Sequence, residues 1–333
     1  MARKQAIRGV NLGGWLVLER WITPSLFKGS DAQDEFSYCD SASPEMVARL
    51  KRFRQTFVTE ADFAWLAAQG IAAVRIPVGS WLFGGQPPYV GAVDFLDRAF
   101  AWAEKHGLRI LISLHGAPGS QNGQDHSGQK GDIGWGKGDT ITRSLETIDK
   151  LARRFRQHPA LLGIELLNEP SPTLSRRQLL RYYRQAYRTV RQQCGPETWV
   201  VFGDAFQLWR WTWSMHWPFF REAYVDTHQY QVFAESDKKR SLASHLRKVR
   251  VTAFKICWIG WHRKLVIGEW SGALPSAAFR DLPVAEKQQA YSRYLQAQAQ
   301  AYKHADAWFY WTYKTEDRGI WSFRDQVEKG QMF

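Results

Sequence analysis

Short apolar segments alternate with longer amphipathic ones along most of the chain. Eight apolar segments have the length and composition of strands, at residues 6–15, 72–78, 108–116, 161–170, 198–205, 224–230, 264–270 and 306–316. Stretches with helical spacing of apolar residues lie between them, at 59–70, 92–106, 140–157, 175–193, 240–256 and 285–304. Repeated alternation of strand and helix predicts an α/β fold, a parallel (β/α)8 TIM barrel rather than an open sheet. Since no linker or low-complexity tract interrupts the pattern, we expect a single domain over residues 1–333.

Three connections are longer than the pattern requires. Residues 16–58 and 117–139 exceed ordinary loops, and the second is rich in Gly, Asn, Asp and Ser. Residues 206–223 follow the fifth predicted strand and are dense in aromatic residues. Long loops after barrel strands commonly carry function, so we expect these segments to shape a site.

The composition narrows the classes of partner. The chain has 44% hydrophobic and 23% charged residues, the balance of a soluble globular protein, and a net charge of +13. A protein with such an excess of basic residues can attract a nucleic acid, a membrane surface or an acidic polymer. The basic residues are nevertheless spread out with helical spacing, and no nucleic-acid motif accompanies them. We therefore expect a solvated basic face, no nucleic-acid partner, no membrane span and a monomer.

Cysteine and histidine usage indicates neither a disulfide framework nor a metal site. The three cysteines, Cys39, Cys194 and Cys257, are odd in number and far apart. The nine histidines show no HxH or HExxH spacing, so we expect neither metal nor cofactor. The first 15 residues contain no apolar leader, which predicts a cytoplasmic protein as the sequence stands, or a secreted or periplasmic one if a leader was removed.

Aromatic residues suggest a sugar ligand. The 17 tryptophans bring Phe, Trp and Tyr together to 14% of the chain. Many must fill the core, because aromatic side chains carry large apolar areas. The C–H face of a glucose ring also stacks on an indole, while the sugar hydroxyls need polar partners beside it.

Polar or aromatic side chains stand where the apolar runs of six predicted strands end. They are Arg75, His115, Asn168, Glu169, His228, Tyr230, Glu269 and Trp311. In a (β/α)8 barrel the carboxyl ends of the strands surround the active site. Glu169 and Glu269 would therefore meet at one mouth, and two facing carboxyl groups are what glycoside hydrolysis requires. Taken singly, each residue has an ordinary structural interpretation; together they favour a catalytic site.

Five segments resemble glycoside hydrolase family 5, and more narrowly its exo-β-1,3-glucanase branch. They are "IRGVNLGGWLVLERWITPSLF", "HGAPGSQNG", "GIELLNEP", "DTHQYQVF" and "VIGEWSGAL", in the expected order between residue 7 and about residue 321. The motif "NEP" alone is weak, but "GxELLNEP" followed by "GEW" at this spacing is specific.

The resemblance implies retaining hydrolysis of β-1,3-linked glucans or glucosides by double displacement, from the chain end. It assigns Glu269 as nucleophile, Glu169 as acid/base and Asn168 as the partner of the sugar 2-hydroxyl. Arg75 and Tyr230 would bind the nucleophile, His228 would lie near the acid/base and His115 near the sugar. Trp311 would form the bottom of the −1 subsite, and Glu19 would contact the non-reducing glucose. Phe233 would be one of the aromatic residues at the entrance of the cleft. We accordingly expect Glu269 to be ionised and Glu169 to hold a proton through a raised pKa.

One position departs from the branch. Gln124 stands where a second entrance aromatic is usual, which puts the acceptor subsite and the β-1,3 preference in question. Tryptophans 209, 211, 213 and 217 either replace that ring or simply pack. The alternatives are a β-glucan transglycosylase, a β-glucosidase of β-1,6 or β-1,4 preference, and a non-catalytic carbohydrate-binding barrel, which would be expected to lack one of the two carboxylates.

Overall fold

The strands of the protein close into a barrel. A computed structural model describes residues 5–216, 218–280 and 282–332. Eight parallel strands pair in sequence order, and the eighth pairs with the first. They are β1 (Ile7–Asn11), β2 (Ala73–Gly79), β3 (Arg109–Gly116), β4 (Leu161–Glu165), β5 (Trp199–Gly203), β6 (Ala223–Gln229), β7 (Leu265–Trp270) and β8 (Ala307–Tyr310). The (β/α)8 prediction is confirmed.

Helices connect the strands and cover the outside of the barrel. In the described ranges they are α1 (Glu35–Asp40), α2 (Pro44–Thr56), α3 (Glu60–Ala68), α4 (Val93–His106), α5 (Thr140–Phe155), α6 (Arg176–Gln193), α7 (Leu208–Trp211), α8 (Glu235–Lys238), α9 (Leu242–His262), α10 (Val284–Tyr302) and α11 (Phe323–Glu328). The six helical stretches predicted from the sequence correspond to α3, α4, α5, α6, α9 and α10. Nowhere in the described ranges does a helix combine the length and the apolar character needed to cross a membrane.

The interior of the barrel changes from apolar to polar along its axis. Side chains that point inward near the strand starts form a buried apolar layer, which includes Ala73, Tyr224 and Phe309. Because inward positions recur every second residue, the next inward residues on the same strands are Arg75 and Asp226, both buried. The strand pattern therefore carries polar groups to the carboxyl end of the barrel.

The fourth strand is shorter than predicted. β4 ends at Glu165, whereas the apolar run continues to Leu167 and the predicted strand to residue 170. Beyond Glu165 the backbone N–H of Leu166 bonds Val201 on one side, and the N–H of Asn168 bonds Leu114 on the other. The regular ladder is thus interrupted before Pro170, so the proline does not end the strand.

Residues 16–58 also differ from a plain loop. They contain a 3-10 turn at Pro24–Phe27 followed by α1 and α2. Both helices begin at a side-chain cap, Asp34 for α1 and Ser43 for α2. These elements enclose a small apolar cluster of their own, so the segment is a folded wall beside the barrel mouth.

Candidate active site

A cavity of about 760 Å³ opens at the carboxyl ends of the strands. Its walls come from β3, β6, β7, the long connections and the segment after β8. The lining residues are Glu19, Trp21, His115, Asn122, Gln124, Asp125, His126, Glu169, Ser171, Pro172, Phe206, Tyr230, Phe233, Glu269, Trp311 and Trp321. Sequence-predicted residues and aromatic rings thus share one cleft, which suits a ligand with both hydroxyls and flat C–H faces.

Arg75 forms the base of the site. Its Nε and Nη2 donate to the two oxygens of Glu165 at 2.6 and 3.0 Å, a bidentate pair. Its Nη1 donates to Glu269 Oε1 at 2.9 Å and to Asn11 Oδ1 at 2.8 Å. The guanidinium and its partners are buried, so each group is fixed in orientation by the others.

Glu269 ends β7 between two fixed donors. Arg75 holds Oε1, and the hydroxyl of Tyr230 donates to Oε2 at 2.8 Å. The residue is 5% exposed and faces the cleft. Both contacts predicted from the resemblance are present, and they leave the carboxylate aimed at the cavity.

Glu169 lies four residues beyond β4, in a left-handed conformation with φ of 40°. Such a φ is uncommon for a residue other than glycine and is held here by its surroundings. Asn122 Nδ2 donates to the Glu169 carbonyl at 3.0 Å, and His228 Nδ1 lies 2.6 Å from Oε1. His126 Nε2 lies 3.4 Å from the other carboxyl oxygen. The turn in the backbone brings the side chain to the cleft wall.

The two carboxyl groups are close to each other. Atoms of Glu169, His228 and Glu269, one from each side chain, all lie within 4.8 Å of one another. Retaining glycosidases separate their carboxyl groups by about 5–5.5 Å, whereas inverting enzymes need about 6.5–9.5 Å to admit a water molecule. One carboxyl oxygen of Glu169 lies within 4.8 Å of one of Glu269, an approach closer than an inverting site has and compatible with a retaining one.

The pKa of Glu169 is shifted in the direction opposite to that expected from the sequence. Burial alone would raise the pKa of Glu169, but the charge of His228 and its hydrogen bond lower that pKa to about 2. Burial would lower the pKa of His228, but Glu269, Asp226 and Glu169 raise it well above its ordinary value. The imidazole lies among three carboxylates, so the pKa of His228 is raised while that of its hydrogen-bond partner Glu169 is lowered.

The expectation for Glu269 also needs correction. Burial raises the pKa of Glu269, and the charges of His228 and Arg75 act against that rise. His228 opposes that rise more than does Arg75, whose guanidinium also binds Glu165. Ionised Glu269 thus depends on His228 as well as on Arg75.

Asn168 is fixed at one end and unsatisfied at the other. Its Oδ1 accepts from Arg75 Nη2 at 2.7 Å, and its backbone carbonyl accepts from Gln121 Nε2 at 2.8 Å. Its buried Nδ2 has no hydrogen-bond partner within the described part of the chain. A buried donor without a partner is costly, so this amide is suited to a ligand hydroxyl.

His115 and Trp311 form a flat surface in the cleft. Their rings are parallel within 4°, with centroids 5.6 Å apart. His115 Nε2 lies 3.6 Å from Glu269 Oε1, and Nδ1 lies 3.1 Å from Ser113 Oγ. Burial lowers the pKa of His115 well below its ordinary value, which keeps the ring neutral. The pair presents an aromatic face beside the predicted nucleophile.

Glu19 brings a second unsatisfied group to the cleft. Its Oε2 accepts from Trp21 Nε1 at 3.0 Å, whereas buried Oε1 lacks a partner among the described residues. Burial, then the nearby charges of Asp125 and Glu269, raise the pKa of Glu19 well above 4.5. A sugar that offers hydroxyl donors would satisfy this carboxyl group.

Phe233 stands at the rim with other aromatic residues. It is 64% exposed, stacks on Trp321 with centroids 6.1 Å apart, and contacts Tyr230 edge-on at 5.3 Å. Trp321 also contacts Trp21 at 5.4 Å. All ten sequence-predicted site residues thus lie in or directly beneath the cleft.

Several site residues were not predicted. They are Asn11, Glu165, Asp226, His126, Trp21, Phe206 and Trp321. Glu165 and Asp226 stand inside the quoted motifs. Asp226 lies two residues before His228 on the same strand, so inward periodicity could have found it. Phe206 and Trp321 lie in irregular segments, where periodicity gives no direction.

The three described tryptophans of the 206–223 segment, at positions 209, 211 and 213, do not line the cleft. Trp211 is buried in the core against Tyr183, and Trp209 and Trp213 pack on Trp258 of α9, away from the cleft lining. Trp217 lies outside the described residues. Phe206, at the start of the same segment, is the residue that lines the cleft.

Two groups of side chains have the atom types of metal ligands. Glu165, Asp226 and His228 form one, and Glu169, His228 and Glu269 form the other. Each carboxylate is already bonded to Arg75 or His228. The cationic side chains of the protein therefore balance these carboxylates.

A TIM barrel with paired carboxylates in an aromatic cleft defines the class of protein, a glycoside hydrolase. The sequence profile of Cellulase (glycosyl hydrolase family 5) matches residues 39–317. The chain is 35% identical to "Probable glucan 1,3-beta-glucosidase A" of Aspergillus niger, over 97% of this chain and 86% of that protein. It is 37% identical to "Glucan 1,3-beta-glucosidase" of Blumeria graminis, over 98% and 86%. The chain belongs to glycosyl hydrolase family 5.

A solved structure shares the architecture. Rutinosidase from Aspergillus niger superposes with a TM-score of 0.84 at 21% identity, covering 98% of both chains. At that identity the likeness concerns the fold.

Proposed function

We propose that this chain is a retaining β-glycosidase that hydrolyses β-1,3-linked glucans or glucosides from the chain end, with Glu269 as nucleophile and Glu169 as acid/base. The observation that carries the proposal is the approach of the two carboxyl groups within 4.8 Å across the cleft. The β-1,3 linkage is supported by the relatives named as glucan 1,3-beta-glucosidases at 35% and 37% identity.

The geometry accounts for both halves of a double displacement. In the first step an oxygen of Glu269 bonds the anomeric carbon while the bond to the leaving oxygen breaks. The proton shared by Glu169 and His228, which are 2.6 Å apart, passes to that leaving oxygen. In the second step water attacks the anomeric carbon and releases Glu269, and its proton returns to the same pair. Asn168 Nδ2 is placed to donate to the sugar as positive charge develops.

The wall formed by residues 16–58 supports action at the chain end. Glu19 projects from this wall into the cleft, and one of its carboxyl oxygens has no hydrogen-bond partner among the described residues. A terminal glucose can fill that position and hydrogen-bond the carboxyl group, whereas a continuing chain would meet the wall. Release of long internal fragments from a β-1,3-glucan would argue against this assignment.

We expect retention of configuration. The first product released from a β-glucoside should be the β-anomer, since two displacements at one carbon restore its configuration. Proton NMR during the first minutes of hydrolysis, before mutarotation, measures the anomer directly. An α-anomer would rule out the nucleophilic role of Glu269, whatever the linkage preferred. The same protein incubated with β-1,3-, β-1,4- and β-1,6-linked glucans reports the linkage and any transfer products.

Phe206 is expected to serve the acceptor sugar. It is 57% exposed at the cleft edge, and the backbone N–H bonds Asp204 Oδ1 at 2.7 Å, which fixes its turn. A stacked ring contributes on the order of 1 kcal/mol beyond its area. Phe206→Ala should therefore raise KM for laminari-oligomers by roughly fivefold and lower transfer to sugar acceptors.

The matched control for this prediction is Trp213→Ala, which removes an exposed ring outside the cleft lining. A gain of acceptor binding in Gln124→Phe would show that the position is permissive to a ring. Unchanged KM and transfer ratio in Phe206→Ala would make Phe206 irrelevant to the acceptor.

Glu19→Gln is expected to raise the stability of the folded protein at neutral pH and to lower its activity. Because the folded pKa of Glu19 is raised above 4.5, the wild-type protein loses stability as pH rises through that range, and the amide does not. The variant should equal wild type near pH 4.5 and gain about 1 kcal/mol at neutral pH. Its kcat/KM for β-1,3-glucosides should fall roughly tenfold or more, through the lost charged hydrogen bond.

Melting temperatures at acidic and neutral pH, with kinetics alongside, check this prediction. The control is Glu35→Gln, because Glu35 is also buried but forms an ion pair with Arg54 at 2.6 Å. Loss of this pair should lower the stability of the folded protein. A Glu19→Gln protein that is less stable at neutral pH would contradict the unpaired burial of Glu19.

A further inference from the structure

A stripe of large apolar side chains is exposed on the outer face of α9. Val251, Phe254, Trp258 and Trp261 are 51%, 73%, 38% and 79% exposed. Their spacing along the helix places them on one side of it, over about 15 Å. Apolar residues at such positions normally face a core, but these side chains remain exposed to solvent among the residues that the structure describes.

The neighbouring α7 region enlarges the stripe. The rings of Trp209 and Trp258 are 5.2 Å apart, and those of Trp213 and Trp258 are 6.4 Å apart. Trp209 and Trp213 are 50% and 62% exposed. These two residues and the four of the stripe form one continuous surface, which we name the α7–α9 patch.

The two segments that form the patch contribute only basic charged side chains. The sequence of α9 contains Arg247, Lys248, Arg250 and Lys255 but no Asp or Glu. Arg247, Arg250 and Lys255 are exposed on or beside the stripe. The α7 segment, residues 206–221, also contains no acidic residue. The patch is therefore aromatic and basic together.

We propose that the α7–α9 patch docks the enzyme on a membrane surface that contains anionic lipids. Tryptophan and phenylalanine lie favourably at the boundary between headgroups and acyl chains, and Lys and Arg are attracted to anionic headgroups. The helix would lie in the plane of the interface, with its apolar stripe inserted and the barrel above it. This surface role is distinct from a membrane span and independent of the proposed catalytic function.

Two other occupants fit the chemistry less well. A neutral β-glucan would stack on the indoles but would leave the flanking cations without a partner. A second copy of the chain, related by a twofold axis, would bring the same cations face to face. An anionic bilayer uses both halves of the patch, the rings and the cations.

The patch and the catalytic cleft are connected along the chain. Phe206 lines the cleft, and α7 begins two residues later and packs on α9 through Trp209. The patch is thus joined to the rim of the active site by a short segment of chain.

The test is vesicle sedimentation of the whole protein. We expect binding to vesicles of phosphatidylglycerol mixed with phosphatidylcholine, and weaker binding to phosphatidylcholine alone. Phe254→Ser with Trp261→Ser should lower the partition coefficient roughly tenfold, as should Arg247→Glu with Arg250→Glu. All variants should hydrolyse a soluble aryl glucoside as wild type does, because the patch lies outside the cleft.

The control pair is Arg184→Glu with Arg188→Glu on α6, which removes the same charge from an exposed basic face of that helix. If this pair weakens binding as much as the α9 charge pair, the attraction is only net charge and the proposal fails. It also fails if wild type does not prefer the anionic vesicles. If wild type binds insoluble β-1,3-glucan and the Phe254→Ser, Trp261→Ser variant does not, the patch binds glucan instead of a membrane. If light scattering shows a wild-type dimer that this variant does not form, the patch is a dimer interface instead.

Discussion

Glu269→Gln is expected to lower kcat by roughly 10⁴-fold or more on every β-glucoside. The amide keeps the shape of the side chain but cannot form the covalent glycosyl-enzyme, because it is a poor nucleophile. In the wild type, Arg75 Nη1 and the Tyr230 hydroxyl donate to Oε1 and Oε2 of Glu269; in the variant they would face a neutral amide. The protein should remain folded, since the volume is unchanged.

Glu169→Gln should separate substrates by their leaving group. Hydrolysis of alkyl glucosides and laminaribiose should fall by about 10²–10⁴-fold, the usual contribution of a general acid. The first step with a dinitrophenyl glucoside should be largely spared, because that leaving group needs no proton. Azide should then accelerate breakdown of the intermediate and yield a β-glucosyl azide.

Labelling with a 2-fluoro glucoside, followed by peptide mapping, checks both roles. Wild type should carry the label on Glu269, and Glu169→Gln should carry it on the same residue. Glu104→Gln, an exposed carboxylate on α4, is the matched control and should behave as wild type. A label on any other residue would remove Glu269 from the nucleophile's position.

The fold was predictable because two periodicities alternate along the chain without interruption. All eight predicted strands have counterparts, and even the N-terminal boundary of α3 follows from Thr59, whose side chain pairs with Asp62 in a capping box. The errors lie at strand ends. The apolar run after Glu165 looks like strand, but neighbouring strands bond it alternately, which a linear pattern does not reveal.

The site was predictable where residues follow inward-facing strand positions, and less so elsewhere. Arg75 and Glu269 were found because apolar runs reach them at the barrel mouth. Asp226 was missed although it lies two positions before His228 on the same strand, where inward periodicity would have pointed to it. The expected direction of the Glu169 pKa shift failed for a related reason, since Asp226 is one of the groups that raise the pKa of its partner His228. The direction of the rings in 206–223 depends on packing against α9, which is distant in sequence.

Asp226 is expected to set the pH range in which the acid/base works. Its Oδ2 lies 3.1 Å from His228 Nε2, and its Oδ1 accepts from the Gly268 N–H at 2.6 Å. Asp226→Asn can keep the second contact while it removes one of the anions that raise the pKa of His228. The pair of His228 and Glu169 should then lose its proton at lower pH.

The alkaline limb of kcat/KM for laminaribiose should accordingly move to lower pH in Asp226→Asn, with a loss of roughly 10²-fold near neutral pH. The profile for a dinitrophenyl glucoside should not move, because its first step needs no proton donor. The two substrates thus separate proton supply from general damage to the site. Asp97→Asn, which removes an exposed carboxylate paired with Arg154, is the control and should leave both profiles in place. A uniform loss at every pH, equal for the two substrates, would mean that Asp226 only holds the strand ends together and that the proton on His228 does not depend on it.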